Sequence, residues 1–486
     1  MGVGSVVAVR GPRCGVVCPR AARRTGRNVR GRVVSSSASL SGRSPSPDEG
    51  EVRAIVATFP SSGPLPVGSG LVLGPVEEEL AARPREARFN SKAVGTPVVR
   101  TYKSEEDAGQ DIWVMYYTGE ALACPAAGHG TRIGMAVSGD GVRWKHVDGP
   151  LDDASALGPS ENWWQFDTSG VAVGDVKMIS TARVKADGES GSGCYWLFYS
   201  GSADEGTGPD GRSTGVLTPP EERFMEARGK VDPGGVLGTH PCSSFGVNGH
   251  VVRPGVALSL DGVYWSRIEA DHASGALFDV GEPGEWDALG AASPCVLPHA
   301  SRDFRMYYHT WDAQEARFRI GVAQSPDALR WEKVGPVFGL EGGAGRAGRW
   351  DEGGCLNPYV MHLPGTKNKQ FLMLYEGVDS SGERSIGCAT SDDGRNWKRA
   401  GGDDGRVVRA GEQGSWDAAG VGAPYAVVHG PPSDPVLHVY YTGYEGEAGR
   451  PTGRTAVGLA ASAPGAKTVQ QWLDTLAKVD PEIASR

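Results

Sequence analysis

One three-part pattern occurs five times in this 486-residue chain, and it restricts the chain to a repeat architecture. The first part is an aromatic–Asx pair, a run of small residues and then, in four copies, a proline. It reads "RFNSKAVGTPVV" from Arg88, "QFDTSGVAVGDV" from Gln165, "EWDALGAASPCV" from Glu285, "RWDEGGCLNPYV" from Arg349 and "SWDAAGVGAPYA" from Ser415. The second part is "MYYTG" at Met115, "LFYSG" at Leu197, "MYYHT" at Met306, "MLYEG" at Met373 and "VYYTG" at Val439. The third is "RIGMAVSGDGVRW", "RPGVALSLDGVYW", "RIGVAQSPDALRW" and "SIGCATSDDGRNW", while the fifth copy ends early as "TAVGLAASAPG".

Each copy predicts four short strands, so the fold class is all-β. The first strand starts around the proline, which lacks an N–H and suits a strand start or a free edge. The innermost strand of a propeller blade has such an edge. The second strand is the Tyr-rich segment. The third is "RIGMAVS", closed by an Asp-Gly hairpin turn. The Trp after that turn opens the outer strand and packs between blades. Trp286, Trp350 and Trp416 lie 64 and 66 residues apart, longer than the roughly 40–45 residues of a WD-type repeat. The expectation is therefore a five-bladed β-propeller over 55–465. The truncated fifth copy needs an outer strand from "AIVATF" or "SGLVLGPV". Val469, Trp472, Leu473 and Leu476 recur at helical spacing and predict a short helix within 466–486. The long segment 202–252 in the second copy is rich in Gly, Pro and charge and reads as a loop over the funnel.

Charge is unevenly placed. Residues 1–47 hold nine Arg, no Lys and no acid, together with "VVSSSASLSGRSPSP". That composition predicts a disordered organelle transit peptide, chloroplast first and mitochondrion second; a basic tail for an acidic partner is the alternative. Without those nine charges the formal −9 of the whole chain doubles, which argues against nucleic acid as a partner. No apolar run reaches the length of a membrane span. Cys14 and Cys18 fall in the basic segment. Cys124, Cys194, Cys242, Cys295, Cys355 and Cys388 show no metal-type spacing and read as buried free thiols. No metal and no cofactor is expected, and the sequence does not address oligomeric state.

The "WD…P-V", "YYTG" and "IG-A-S-DG--W" elements resemble the five-bladed propeller glycoside hydrolases, a superfamily of arabinanases, xylosidases, levansucrases, invertases and the mannoside phosphorylases. The resemblance implies a glycosidase with paired carboxylates at a funnel mouth, one as acid and one as base or nucleophile. In the family these acids stand as Asp-Pro and Glu-x-Pro at inner-strand starts. Here the residue before the proline is Thr96, Ser293, Asn357 or Ala423, and Val173–Gly174 replaces the pair in the second copy. Two positions before each proline stand Gly95, Ala292, Leu356 and Gly422. The family's acids are absent from those places.

Two other sets of positions converge on the funnel. The first is the Asx of the aromatic pair: Asn90, Asp167, Asp287, Asp351 and Asp417. A turn-capping role suits a residue repeated in every copy, yet crowded carboxylates also favour one protonated acid. The second is the residue after the tyrosine: Thr118, Ser200, His309, Glu376 and Thr442. His309 and Glu376 break a hydroxyl rule, and departures from a repeat point to function. The expected catalytic set is Asp287, Asp351, Glu376, His309 and Asp167. The expected substrate contacts are Asn357, Asp175, Asp417, Trp311 and Trp164, with Trp163 nearby. The functional expectation is cleavage or other processing of a glycosidic bond in a carbohydrate; the alternative is a non-catalytic propeller that binds sugar or protein.

Overall fold

The computed structural model describes residues 69–76, 88–103, 111–122, 130–179, 193–204, 250–282, 284–312, 314–339, 348–363, 370–401, 404–431, 433–466 and 468–479. The segments 1–47 and "AIVATF", and most of 202–252, lie outside them. Among the described residues the chain is all-β, and its strands pair into five antiparallel meanders. The first is β2 (Ala93–Lys103), β3 (Asp111–Glu120), β4 (Arg132–Ser138) and β5 (Lys145–Val147). The second is β6 (Gly170–Ile179), β7 (Cys194–Asp204), β8 (His250–Ser259) and β9 (Ser266–Ile268). The third is β10 (Ala292–Ala300), β11 (Asp303–Asp312), β12 (Arg317–Ser325) and β13 (Glu332–Phe338). In the fourth, β14 (Gly354–His362), β15 (Phe371–Val378) and β16 (Arg384–Ser391) are followed by β17 (Lys398–Ala400) and β18 (Arg406–Val408), both paired to β16. The fifth is β19 (Gly420–His429), β20 (Val436–Glu447) and β21 (Arg450–Ala461). Its outer edge is completed by β1 (Leu71–Leu73), from "SGLVLGPV", and by β22 (Ala477–Lys478).

The first strands touch in a closed circuit: β2 with β6, β6 with β10, β10 with β14, β14 with β19, and β19 with β2. Each carries a β-bulge, at Gly95/Val98, Val173/Asp175, Ala292/Cys295, Leu356/Tyr359 and Gly422/Tyr425. The prolines sit inside these strands rather than at their starts, because the bulge leaves a residue outside the ladder and the missing N–H costs no pairing. The residue before each proline is left-handed: Thr96 at φ 45°, Ser293 at 50°, Asn357 at 48° and Ala423 at 44°.

The repeated aromatic explains the repeated glycines. Phe89, Phe166, Trp286, Trp350 and Trp416 each lie on the tyrosine at the third position of the second motif (Tyr117, Tyr199, Tyr308, Tyr375 and Tyr441), with ring centroids 5.7–5.9 Å apart. They also cover strand glycines, so a Cβ on Gly134, Gly255, Gly321, Gly387 or Gly443 would collide with them. The later Trp residues bridge meanders edge-on: Trp144 meets Tyr440, Trp265 meets Tyr116, Trp331 meets Phe198 and Trp397 meets Tyr307. In the turns before them, Ser138 and Asp140 accept the turn's N–H groups, as do Ser259 with Asp261 and Ser391 with Asp393.

Outside the meanders, α1 (Val469–Asp474) begins with a Thr468–Gln471 capping box and buries Trp472 and Leu473. Cys295, Cys355 and Cys388 are buried free thiols, and Cys194 is partly exposed. No described helix is long and apolar enough to cross a membrane. Substituting Gly387→Val places methyl groups where Trp350 ring carbons already lie 2.6 Å from the Cβ position. It is expected to lower stability by about 2 kcal/mol, read from a denaturation midpoint; an unchanged midpoint contradicts this packing.

Candidate functional site

The five Asx residues are buried, and each is held by at least two partners from its own meander or the strand that completes it; Asp351 also accepts from Arg349 at 3.0 Å and Asp417 from Ser415 at 3.0 Å. The tyrosine hydroxyls of Tyr199, Tyr308, Tyr375 and Tyr441 donate to Asp167, Asp287, Asp351 and Asp417 at 2.9, 3.2, 3.0 and 3.3 Å. A cation from an outer strand completes each contact. Arg267 reaches Asp167 at 2.7 Å, Lys333 reaches Asp287 at 3.0 Å, Arg399 reaches Asp351 at 2.6 Å and Lys478 reaches Asp417 at 2.5 Å. Burial and the adjacent carboxylate push these tyrosines well above their ordinary pKa, so they stay protonated donors. The first meander holds the neutral version. Asn90 donates to Tyr117 at 2.7 Å and lies 3.2 Å from His146 Nδ1. Burial lowers the His146 pKa to about 4, so the imidazole is uncharged opposite an uncharged Asn.

The second set of positions forms a ring between meanders. Each side chain accepts the N–H of the bulged first-strand residue of the next meander. Thr118 accepts from Val173 at 3.0 Å, Ser200 from Ser293 at 2.8 Å and His309 Nδ1 from Asn357 at 3.2 Å. Glu376 accepts from Ala423 at 3.0 Å and Thr442 from Thr96 at 2.8 Å, which returns the ring to its start. His309 and Glu376 therefore do the work of the hydroxyls they replace.

They also meet. Asn357 donates its side-chain amide to Glu376 Oε2 at 2.7 Å, and its backbone N–H reaches His309. Ser293 donates to Asn357 Oδ1 at 2.7 Å. The other Glu376 oxygen accepts from Arg384, and Tyr444 lies 3.5 Å from the shared one. Glu376 is fully buried and Arg384 nearly so. Sequence reasoning selected His309, Glu376 and Asn357 but missed Ser293, Arg384 and Tyr444. Ser293 carried a signal, as a hydroxyl at the place where the resemblance expects an acid.

The five first strands converge on a cavity of about 30 Å³, room for one water-sized group. Thr96, Ser293 and Asn357 supply its polar lining, Val173, Gly174 and Ala423 complete its rim, and no described Asp or Glu lines it. Tyr359 and Tyr425, ring centroids 4.3 Å apart, pack at the next position down. Asp175 stands at that level too, fully buried, bonded to Lys177 at 2.9 Å and accepting from Val296 N–H at 3.0 Å. Trp311 is 6% exposed and packs edge-on against Phe318 at 4.9 Å, away from solvent. Trp164 and Trp163 are 39% and 53% exposed on the connection from the first meander to the second. Among the described residues no cluster of His, Cys, Asp and Glu is arranged to hold a metal ion.

No family model matches the sequence. The uncharacterized protein MT1551 of Mycobacterium tuberculosis (strain CDC 1551 / Oshkosh) is 26% identical over 281 residues, 57% of this chain and 67% of that protein. The uncharacterized protein Rv1502 of Mycobacterium tuberculosis (strain ATCC 25618 / H37Rv) is 28% identical over 280 residues, with the same shares. Among solved structures, a BT0996 complex with RGII aligns with a TM-score of 0.50 at 14% identity, over 84% of this chain and 94% of that one. A glycoside hydrolase aligns equally well, with a TM-score of 0.50 at 14% identity over 87% and 97%. The chain shares its fold with the propeller glycoside hydrolases.

Two outcomes follow from the buried groups. Glu376→Gln keeps an acceptor for Ala423 but leaves Arg384 without its counter-charge, and should cost about 3 kcal/mol in a denaturant titration; a neutral effect contradicts the pairing. His146 is neutral when folded and has an ordinary pKa near 6.5 when unfolded. Its contribution is complete above about pH 6.5 and is lost as pH falls toward 4. His438, lowered by burial to about 3, acts in the same direction. Melting temperature should therefore fall between pH 7 and 4, and less steeply in His146→Gln; equal slopes in the two proteins would refute the assignment.

Proposed function

We propose that this chain is a five-bladed β-propeller that acts on carbohydrate, taking a neutral saccharide at the mouth of its axis. The observation that carries the reading is the mouth itself. It is the place where all five first strands meet, and its polar side chains are the uncharged Thr96, Ser293 and Asn357. A hydroxyl or amide both donates and accepts, which suits a sugar hydroxyl better than an ion. The cavity admits one hydroxyl-sized group and leaves the sugar ring outside. Backbone strain supports the same location. Left-handed non-glycine residues each cost on the order of 1–3 kcal/mol and cluster at ligand sites, and Thr96, Ser293, Asn357 and Ala423 all border this cavity.

The four repeated aspartates serve the scaffold in this reading, since each is already matched by a tyrosine and a cation. Cleavage of a glycosidic bond is the second reading, favoured by the fold shared with a glycoside hydrolase. It requires Glu376 to exchange Asn357 for substrate, and a second carboxylate to join it. Import into the chloroplast through residues 1–47 is a further part of the proposal, supported by their Arg- and Ser-rich, acid-free composition. A fluorescent protein fused behind those residues should enter the organelle, and cytosolic fluorescence would dismiss it.

Binding is tested by calorimetry against neutral arabino-, xylo-, manno- and fructo-oligosaccharides, beside turnover of nitrophenyl glycosides. At least one neutral oligosaccharide should bind. Asn357→Gly, which accepts the left-handed backbone but lacks the amide, should weaken it about ten-fold. No binding across the panel sinks the proposal, and turnover of any nitrophenyl glycoside establishes the second reading in place of the first.

A further inference from the structure

The seam where the fifth meander meets the first contains a second and much larger cavity, of about 570 Å³. Val76, Trp416 and Ala456 give it an apolar side, and Arg88, His146 and Arg454 a polar one. That volume falls in the range of small-molecule sites. It lies apart from the axial mouth and shares no lining residue with it.

Arg88 is the unusual member. Its side chain is 1% exposed, yet its ion-pair partner Asp148, at 2.5 Å, is half exposed. Nη2 makes that contact, while Nε and Nη1 are buried with no hydrogen-bond partner. A guanidinium cannot discharge by losing a proton, so its buried donors stay costly until an acceptor arrives. The neighbours do not supply one. His146 Nδ1 already faces the Tyr117 hydroxyl at 2.8 Å, and its Nε2 donates to the Gly74 carbonyl at 2.9 Å. Arg454 adds a second positive charge to the cleft, offset by Glu445 at 3.5 Å.

We propose that this seam cleft binds a small molecule with a planar apolar body and an anionic head group, a carboxylate or a phosphate. The head group meets Arg88, with Arg454 supplying further positive charge. The body lies against Trp416, Val76 and Ala456. Because β1, β21 and the first meander all contribute walls, the bound molecule fastens the two ends of the repeat together and stabilises the folded chain through binding linkage.

The test is thermal unfolding of the full chain at low salt with three probes: benzoate, phenyl phosphate and the neutral benzamide. At least one anion should raise the melting temperature in a saturable way, by about 2 °C at ten times its dissociation constant, while benzamide does not. Comparing the two anions separates carboxylate from phosphate. Arg88→Met should abolish the rise. Arg454→Glu, an exposed change that leaves the core intact, should weaken binding about ten-fold even if the Arg88 variant fails to fold. No rise with either anion, an equal rise with benzamide, or undiminished binding in Arg454→Glu overturns the proposal. Binding that emerges only after Glu77→Gln, Glu78→Gln and Glu79→Gln are combined also overturns it, by showing that the chain's own acids fill the cleft.

Discussion

Five hydrogen bonds from bulged first strands to side chains of the preceding meander hold this fold in a closed circuit. The bulge before each proline, or before Gly174, takes a backbone N–H out of its own ladder. An N–H left buried without an acceptor would be expensive, so the preceding meander must offer an acceptor there. Thr118, Ser200, His309, Glu376 and Thr442 all satisfy that demand. The requirement also fixes chemistry at the odd members. His309 presents an unprotonated Nδ1, and Glu376 shares an oxygen between Ala423 and Asn357. The last bond, from Thr96 to Thr442, spans 346 positions in sequence and joins the first copy to the fifth.

A second contact, farther from the axis, locks each meander internally. The aromatic–Asx pair does two jobs at once. Its ring covers strand glycines and stacks on a tyrosine, and its Asx side chain bonds that tyrosine's hydroxyl and an outer-strand base. The substitution pattern respects charge: four copies pair Asp with Arg or Lys, and the one copy with Asn pairs it with a neutral His146. Acids placed this way are matched locally, whereas the polar side chains of described residues at the axial mouth are hydroxyls and an amide.

Much of this was legible from the five copies. The all-β class, the need for a closing strand from one of two N-terminal segments, the short helix and the packing of a Trp between meanders all follow from spacing and residue type; that "SGLVLGPV" supplies the strand, and that the Trp contacts are edge-on, comes from the structure. His309, Glu376 and Asn357 were selected as departures from the repeat, and the fold does bring them into one network. The departures hid a shared task, because the copies preserve an acceptor rather than a residue identity. The outer-strand cations escaped notice for a different reason. They lie between 46 and 100 residues after their aspartates, from Lys333 to Arg267, since loop lengths differ between copies. The left-handed backbone at Thr96, Ser293 and Ala423 left no trace in sequence either; only Asn357 is a residue type that favours it. Arg88 occupies a position that varies between the copies as Arg, Gln, Glu, Arg and Ser, and its unmet donors emerge only when burial is known.

Among the described residues, a fold shared with glycoside hydrolases brings no Asp or Glu to line the mouth. What those residues place there is an uncharged, strained rim above two packed tyrosines. The carboxylates nearby are already engaged, Glu376 by Arg384, Asn357 and Ala423 and Asp175 by Lys177 and Val296. The most direct measurement is a crystal structure of the full chain grown with a neutral oligosaccharide that binds it. The account predicts a sugar hydroxyl in the axial cavity, within about 3 Å of Asn357, Ser293 or Thr96. Sugar bound between two of the aspartates Asp167, Asp287, Asp351 and Asp417, with the mouth empty, would contradict it.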